Sequence, residues 1–498
     1  MTDTTLASPA TGTPPTPRPR PAATQAVVAV LAFAGIVAAV MQTLVVPLIG
    51  ELPRLLDTTA SNATWVITAT LLAAAVATPI SGRLGDLYGK RRVMLVCSAL
   101  LVAGSLVCAL ATSVVPMIAG RALQGAAMGL VPLGISAMRD LLPPERLGTS
   151  IALMSASMGI GGALGLPVAA AVAEYANWRI LFWGATVLAV AIAVLILRVI
   201  PATPVTAHGR FDPVGAVGLG IGLVCLLLGV SKGADWGWTS ASTVALLAGG
   251  VVVLLGWGWF ELRTSDPLVD LRVTARPVVL LTNLASVVIG FAMYAQSLIV
   301  PQLLQLPTAT GYGLGQDMLQ MGLWMAPGGL MMMLVSPLGA RLSHARGPRT
   351  TLAVGAAVVA LGYLSAVALM GSTWGLLVAV CVTNTGVGFA YGAMPALIMG
   401  SVPLSETGSA NSFNTLMRSI GTSVSAAVVG VVLAHLSTPF GGGISLPSEA
   451  GFRVGLLLGA GVAALAAVVA LLIPGRAARA AEERIEHPAA DADRTPAG

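Results

Sequence analysis

The sequence predicts an all-α, polytopic membrane protein: about fourteen spanning helices, forming two six-helix bundles with pseudo-twofold symmetry plus an inserted pair. Three observations carry this. Charged residues make up only 9% of 498 and hydrophobic residues 56%, with a mean hydropathy of +0.88. A water-soluble domain carries about a quarter charged residues, so this chain is solvated by lipid. Apolar runs of the roughly 20 residues needed to cross a bilayer recur along its length. Finally, the polar segment Gly82-Arg83-Leu84-Gly85-Asp86-Leu87-Tyr88-Gly89-Lys90-Arg91-Arg92 returns in faded form half a chain later. One shift lays Pro79 on Pro337, Arg83 on Arg341, Gly89 on Gly347 and Arg91 on Arg349, with His344 in the place of Asp86. A polar turn duplicated between spanning runs indicates two related bundles.

Taken in order, residues 1–25 are rich in Thr, Pro and Ala and read as a disordered tail; the apolar run that follows is too long for a signal peptide. Spanners centred near Ala38, Leu71, Val102, Gly125, Gly161 and Leu188 form an amino-terminal bundle over 26–200. A linker over 201–277 holds two inserted spanners, near Gly222 and Gly250. Six more, near Val288, Pro327, Val359, Gly386, Val424 and Val462, form a second bundle over 278–473, and 474–498 is a polar tail. A second internal match lays Gly125, Gly129 and Pro132 on Gly388, Gly392 and Pro395. Arginine and lysine crowd the segments that an even count of spanners puts on the same side as the tails. The opposite loops hold only Arg54, Arg179, Lys232 and Arg453. Basic residues stay inside, so both termini are expected in the cytoplasm and the chain in the inner (cytoplasmic) membrane. The 58 glycines and 31 prolines, many within spanners, suit close helix approach and kinks.

The pI of about 9.5 does not imply nucleic-acid binding, because the positive charges lie in the loops between spanners, where they bind lipid. Cys97, Cys108, Cys225 and Cys381 all lie in apolar runs at no metal-ligand or Cys-x-x-Cys spacing. The four histidines lie near loops or tails, and no Ser/His/Asp or paired-carboxylate cluster stands in a spanner, so no enzyme is expected. No phosphate-cradling Gly-x-x-x-x-Gly-Lys-Ser/Thr segment occurs, so ATP is not the driving force; no cofactor or metal is expected.

With these residues in place the chain resembles the major facilitator superfamily, and within it the fourteen-spanner drug:proton antiporters, over essentially the whole membrane region. Gly82 to Arg92 matches the family's Gly-x-Leu-x-Asp-x-x-Gly-Arg/Lys-Arg loop. Arg121-Ala122-Leu123-Gln124-Gly125 matches its Arg-x-x-Gln-Gly, and Trp178-Arg179 with Phe182 its Trp-Arg-x-x-Phe. The resemblance implies that Asp86 and its neighbours Gly82, Gly89, Lys90, Arg91 and Arg92 form a cytoplasmic latch, with a weaker copy at Arg341 and Gly347. It also ties Arg121 to proton coupling and cavity shape. Residue type supports part of this: Asp86 can accept from a helix N-terminus, and the basic trio can hold anionic headgroups.

Two departures stand out. The family's first-helix Asp is absent from Met41-Gln42-Thr43-Leu44-Val45-Val46-Pro47. Its fifth-helix Gly-Pro-x-x-Gly-Gly is reduced to Gly165 and a displaced Pro167, with alanines for the glycine pair. None of the twenty acidic residues falls in the middle third of a spanner, whereas Arg121 and Arg418 lie inside spanners. Buried charge is costly there and its sign selects substrate. A cavity for neutral or anionic drug-like amphiphiles is therefore expected, exported against proton entry; the alternative is an uptake carrier or uniporter for a small metabolite. Candidate substrate contacts are Gln42, Trp65, Gln296, Asn384 and Asn414, which can also bond helix to helix, and Met321, Trp324 and Met325, which can also face lipid. A monomer is expected.

Overall fold

The computed structural model describes residues 21–48, 51–202, 205, 207, 209–440 and 445–475. Most of the two tails, 1–20 and 476–498, lies outside them. Fourteen of the described helices are long and apolar enough to cross a membrane. We number them α1 (Pro21–Thr43), α2 (Ala60–Tyr88), α3 (Lys90–Leu110), α4 (Val114–Leu141), α5 (Pro144–Tyr175), α6 (Arg179–Val199), α7 (Pro213–Trp236), α8 (Ala241–Glu261), α9 (Pro277–Gln305), α10 (Met318–Arg346), α11 (Pro348–Leu369), α12 (Thr373–Met399), α13 (Thr407–His435) and α14 (Glu449–Leu472). Between α13 and α14 a small antiparallel ribbon pairs Ser437–Pro439 (β1) with Ser445–Pro447 (β2).

The helix starts follow their sequence. At the end carrying the Gly89 and Gly347 turns, here the basic end, four odd-numbered helices open with Pro144, Pro213, Pro277 and Pro348, where a missing N–H costs nothing. At the opposite end Thr59, Ser240, Ser372 and Ser448 cap even-numbered helices, and Asp317 with Gln320 forms a reciprocal capping box on α10. α4 is broken by a 3-10 turn at Ala127–Gly129.

Packing repeats between halves. α1 lies on α5 as α9 lies on α13, α2 on α4 as α10 on α12, and α3 on α6 as α11 on α14. One apolar core gathers residues from Val27 to Ile200, joined by Met399, and a second those from Val278 to Ile473. The halves meet along two seams, α2 with α13 and α5 with α10. The inserted pair does not stand apart. Ala216, Leu219, Leu223 and Leu227 of α7 pack with Ala75 of α2 and with Phe413 and Leu416 of α13, covering one seam.

The duplicated turns share a backbone conformation that residues with side chains avoid: φ is +93° at Gly89 and +86° at Gly347. Each is followed by an arginine that donates to the last turn of a neighbouring helix, Arg91 to Leu197 O on α6 (2.6 Å) and Arg349 to Leu471 O on α14. Gly89→Ala is expected to cost about 1–3 kcal/mol through its forced backbone angle, read as a lower melting midpoint in detergent or nanodiscs.

Candidate functional site

Asp86, in the last turn of α2, is fully buried and faces the first turn of α13 in the other half. Its carboxylate accepts from the backbone N–H of Gly408 (3.0 Å) and of Ser409 (2.8 Å). Unsatisfied amides and the positive end of the helix dipole make that an anion site. Gly82, one turn earlier, allows the approach: a Cβ there would collide with Gly408 O and Ser412. Lys90 is likewise buried, its Nζ 3.6 Å from Asp86 and 2.6 Å from Asp140 of α4.

Around this cluster the α13 start is held from other sides. Ser136 donates to Thr407 O (3.0 Å), and Arg139 to Val402 O (3.1 Å) and Thr407 Oγ1 (2.9 Å). On the other seam Ser155 donates to Tyr391 O (3.0 Å) and Ser336 to Ala152 O, while α5 and α10 meet backbone to backbone at Gly159 and Gly329. The two halves are thus clasped at the basic end.

Two expectations for the basic loop change. Lys90 does not reach lipid headgroups; it is the buried cation between two carboxylates. Arg91 is half-buried with its guanidinium on Leu197 O; Arg92 is exposed. The second copy is asymmetric. His344 is exposed and faces Gly148 near the start of α5, the pseudo-symmetric equivalent of α13. Arg341 is exposed, and among the described residues no hydrogen bond or ion pair is found for it or for His344.

In the half of the bundle nearer the basic end α4, α5, α12 and α13 enclose a narrow hollow of about 10 Å³ between the halves. Its polar rim is Ser155, Tyr391, Asn411, Asn414, Thr415 and Arg418, and Arg418 is the only charge in the lining. Its guanidinium stacks over Tyr391, 4.5 Å from the ring centre, and reaches Thr415 Oγ1 at 3.4 Å. Asn414 donates to Asn283 Oδ1 (2.9 Å) and Ser286 Oγ (2.7 Å) on α9, fixing this face of α13.

Arg121 stands elsewhere. It is buried within the first half and donates to Met41 O of α1 (3.0 Å) and to Gln124 (2.7 Å), which donates to Ser105 of α3 (2.8 Å). It ties three helices together rather than lining the hollow. Gly125 brings α4 onto the backbone of Thr70, Gly165 brings α5 onto Thr43, and Pro167 packs on Gly322 of α10.

Of the eight substrate-contact candidates only Asn414 lines the hollow. Gln42 is exposed and donates to Met128 Sδ (3.3 Å). Trp65 carries the Lys232 ammonium over its ring at 5.3 Å, and Lys232 itself is a buried residue of α7, not a loop charge. Gln296 and Met321 are buried in the second half, and Met325 packs against its core. Trp324 donates to Gln316 (2.8 Å) and meets Trp374 edge-on, and Asn384 donates to Val380 O (2.9 Å) on its own helix. Sequence reasoning missed Asp140, Arg139, Ser136, Ser155, Tyr391 and the α13 amides. Asp140 and Arg139 looked like ordinary loop charges, and backbone donors leave no trace in residue type.

This architecture has known counterparts. The model of the Major Facilitator Superfamily matches residues 31–426. The chain is 24% identical to the uncharacterised MFS-type transporter YhcA of Bacillus subtilis, over 82% of this chain and 76% of that one. It is 26% identical to the probable actinorhodin transporter of Streptomyces coelicolor, over 75% and 66%. Across such curated relatives the match takes in 59% to 76% of their length. The crystal structure of the human organic anion transporter MFSD10 superposes with a TM-score of 0.64 at 16% identity, over 91% of this chain and all of that one. With fourteen spanning helices, halves that repeat one another's packing and a family match across most of its length, the chain is a multi-pass membrane transporter and belongs to the Major Facilitator Superfamily.

Proposed function

We propose that the protein exports drug-like, neutral or anionic amphiphiles across the cell membrane by alternating access, coupled to proton entry, with the basic end and both termini in the cytoplasm. The single observation carrying the substrate class is Arg418. It is the only charge on the hollow between the halves, beside an aromatic ring and asparagine amides, in surroundings where an unpaired cation attracts an anion strongly. The relative named a probable actinorhodin transporter, and others named multidrug resistance proteins, support export of antibiotic-like molecules. Asp86 on the α13 amides then serves as the cytoplasmic latch: while it holds, the hollow is cut off from that side, and export requires it to open and close once per cycle.

Inside-out vesicles test the reading. An acidic amphiphile should accumulate when the vesicle lumen is acidified and leak out when nigericin collapses the pH gradient, while an ethidium-like cation should accumulate poorly. Uptake that runs only downhill and ignores the gradient would instead show a uniporter.

A further inference from the structure

Apart from the hollow and the latch, one cluster of buried acids has no role in the mechanism so far. Asp212 caps the start of α7 and Glu261 ends α8, so both lie at the basic end of the inserted pair. Asp212 is 8% exposed and Glu261 2%. Each spends one oxygen on backbone: Asp212 Oδ1 accepts from Gly215 N (2.8 Å) and Glu261 Oε2 from Leu268 N (3.1 Å). The other two oxygens, Asp212 Oδ2 and Glu261 Oε1, are buried without a hydrogen-bond partner. Both converge on Gly215, where an added Cβ would collide with the first and lie 2.6 Å from the second. Trp257 turns its indole N–H toward Glu261 without closing a hydrogen bond.

Among the described residues no cation pairs with either acid. An adjoining polar cleft of about 330 Å³ that also reaches Leu268 is lined by Arg83 from α2, Asp266 and Asp270 from the α8–α9 loop, and Glu406 before α13, while Arg210, two residues before Asp212, is exposed and gives its backbone N–H to Asp266 (3.3 Å). Arg272 is engaged on Leu262 O and Arg263 over Trp259. His208 lies outside the described residues. Two oxygens are too few for a calcium or magnesium site, and no group of three metal-ligating side chains occurs among the described residues. A single proton suits the pair better. It makes one orphan oxygen a donor and leaves the other an acceptor, and it avoids two uncompensated negative charges in a buried place.

The pair is wired to the latch. Glu261 holds the N–H of Leu268, Leu268 O accepts from Ser409 Oγ (3.1 Å), and Ser409 N donates to Asp86 (2.8 Å). We propose that Glu261, set against Asp212, carries one proton taken from the cytoplasmic side, and that its loss loosens the Asp86 latch, making the inserted helix pair a cytoplasmic pH sensor. The inference rests on the latch reading of Asp86. Deprotonation sets two anions against each other beside Gly215; the repulsion works against the Leu268 hydrogen bond, which by itself favours the anion, and by displacing Glu261 frees the start of α13. The proton favours the closed latch, so closure is fullest at low pH and declines as pH rises and Glu261 loses it.

Paired spin labels on Arg92→Cys and Leu404→Cys, both exposed, report the opening in nanodiscs once Cys225 and Cys381 are replaced by serine. In the otherwise wild-type chain the open-to-closed ratio should rise with pH by up to about tenfold per unit, the limit for one proton. Asp212→Asn keeps the helix cap and Glu261→Gln keeps an acceptor for Leu268, so both should fold, and both should flatten the pH response in the closed form. A slope unchanged in both variants overturns the sensor, and so does an opening that follows sodium at fixed pH. Asp86→Asn separates the two readings: it should open the latch at every pH, and if it does not, the latch itself is wrong, whatever Glu261 does.

Discussion

Lys90→Met should lower stability by about 3–5 kcal/mol, the usual cost of leaving a buried charge without its partner. Lys90 has no exposure, and its ammonium stands between Asp86 and Asp140. Methionine matches its length but strands two carboxylates, only one of which retains the compensation of the α13 amides. The loss should appear as a drop in melting midpoint and in the folded yield from membranes. Adding Asp140→Asn to Lys90→Met should recover much of it, because one stranded charge is then gone; the cycle of single and double variants isolates the pair. A Lys90→Met protein as stable as wild type would mean that Lys90 escapes to solvent or lipid headgroups.

Arg418→Ala should weaken binding and transport of an acidic amphiphile about 10- to 100-fold, because a hydrogen bond to a charged group contributes about 1.5–3 kcal/mol. A neutral analogue should lose far less, and Arg418→Lys should restore only part, since a lysine cannot present a planar fork. Purified protein in liposomes, titrated with the acidic and neutral members of one scaffold, provides the comparison. Equal losses for both would mean that Arg418 only props Tyr391. Arg121→Ala is the contrasting case: its bonds to Met41 and Gln124 lie inside the first half, so its loss should lower stability without discriminating by substrate charge.

Much of the fold was legible because lipid imposes a simple rule on the chain. Runs long enough to span had to be helices, and the duplicated Gly89 and Gly347 turns marked the repeat. The site was less legible, for reasons specific to each residue. Asp86 stood out because an acid in a basic loop needs an explanation, yet its donors are backbone amides hundreds of residues away. Lys90 looked like one more positive charge, since nothing in a sequence tells an exposed lysine from one enclosed by Asp140, fifty positions on. Arg121 and Arg418 both read as arginines within spanners, and the resemblance tied only Arg121 to the cavity; the helix face decides that Arg121 ties helices together and Arg418 meets the hollow. The methionines of α10 and the scattered amides follow the same logic, because a spanner offers lipid, a neighbouring helix or a cavity to identical side chains.

The position of α7 against both α2 and α13 has a consequence for traffic. A greasy solute dissolved in the inner leaflet would find a sideways doorway wherever two halves part next to the acyl chains. On this flank the extra helix stands across that doorway like a screen. Cargo dissolved in the bilayer is thereby kept from this flank, and sideways entry is left to the α5–α10 seam, which the inserted pair does not cover.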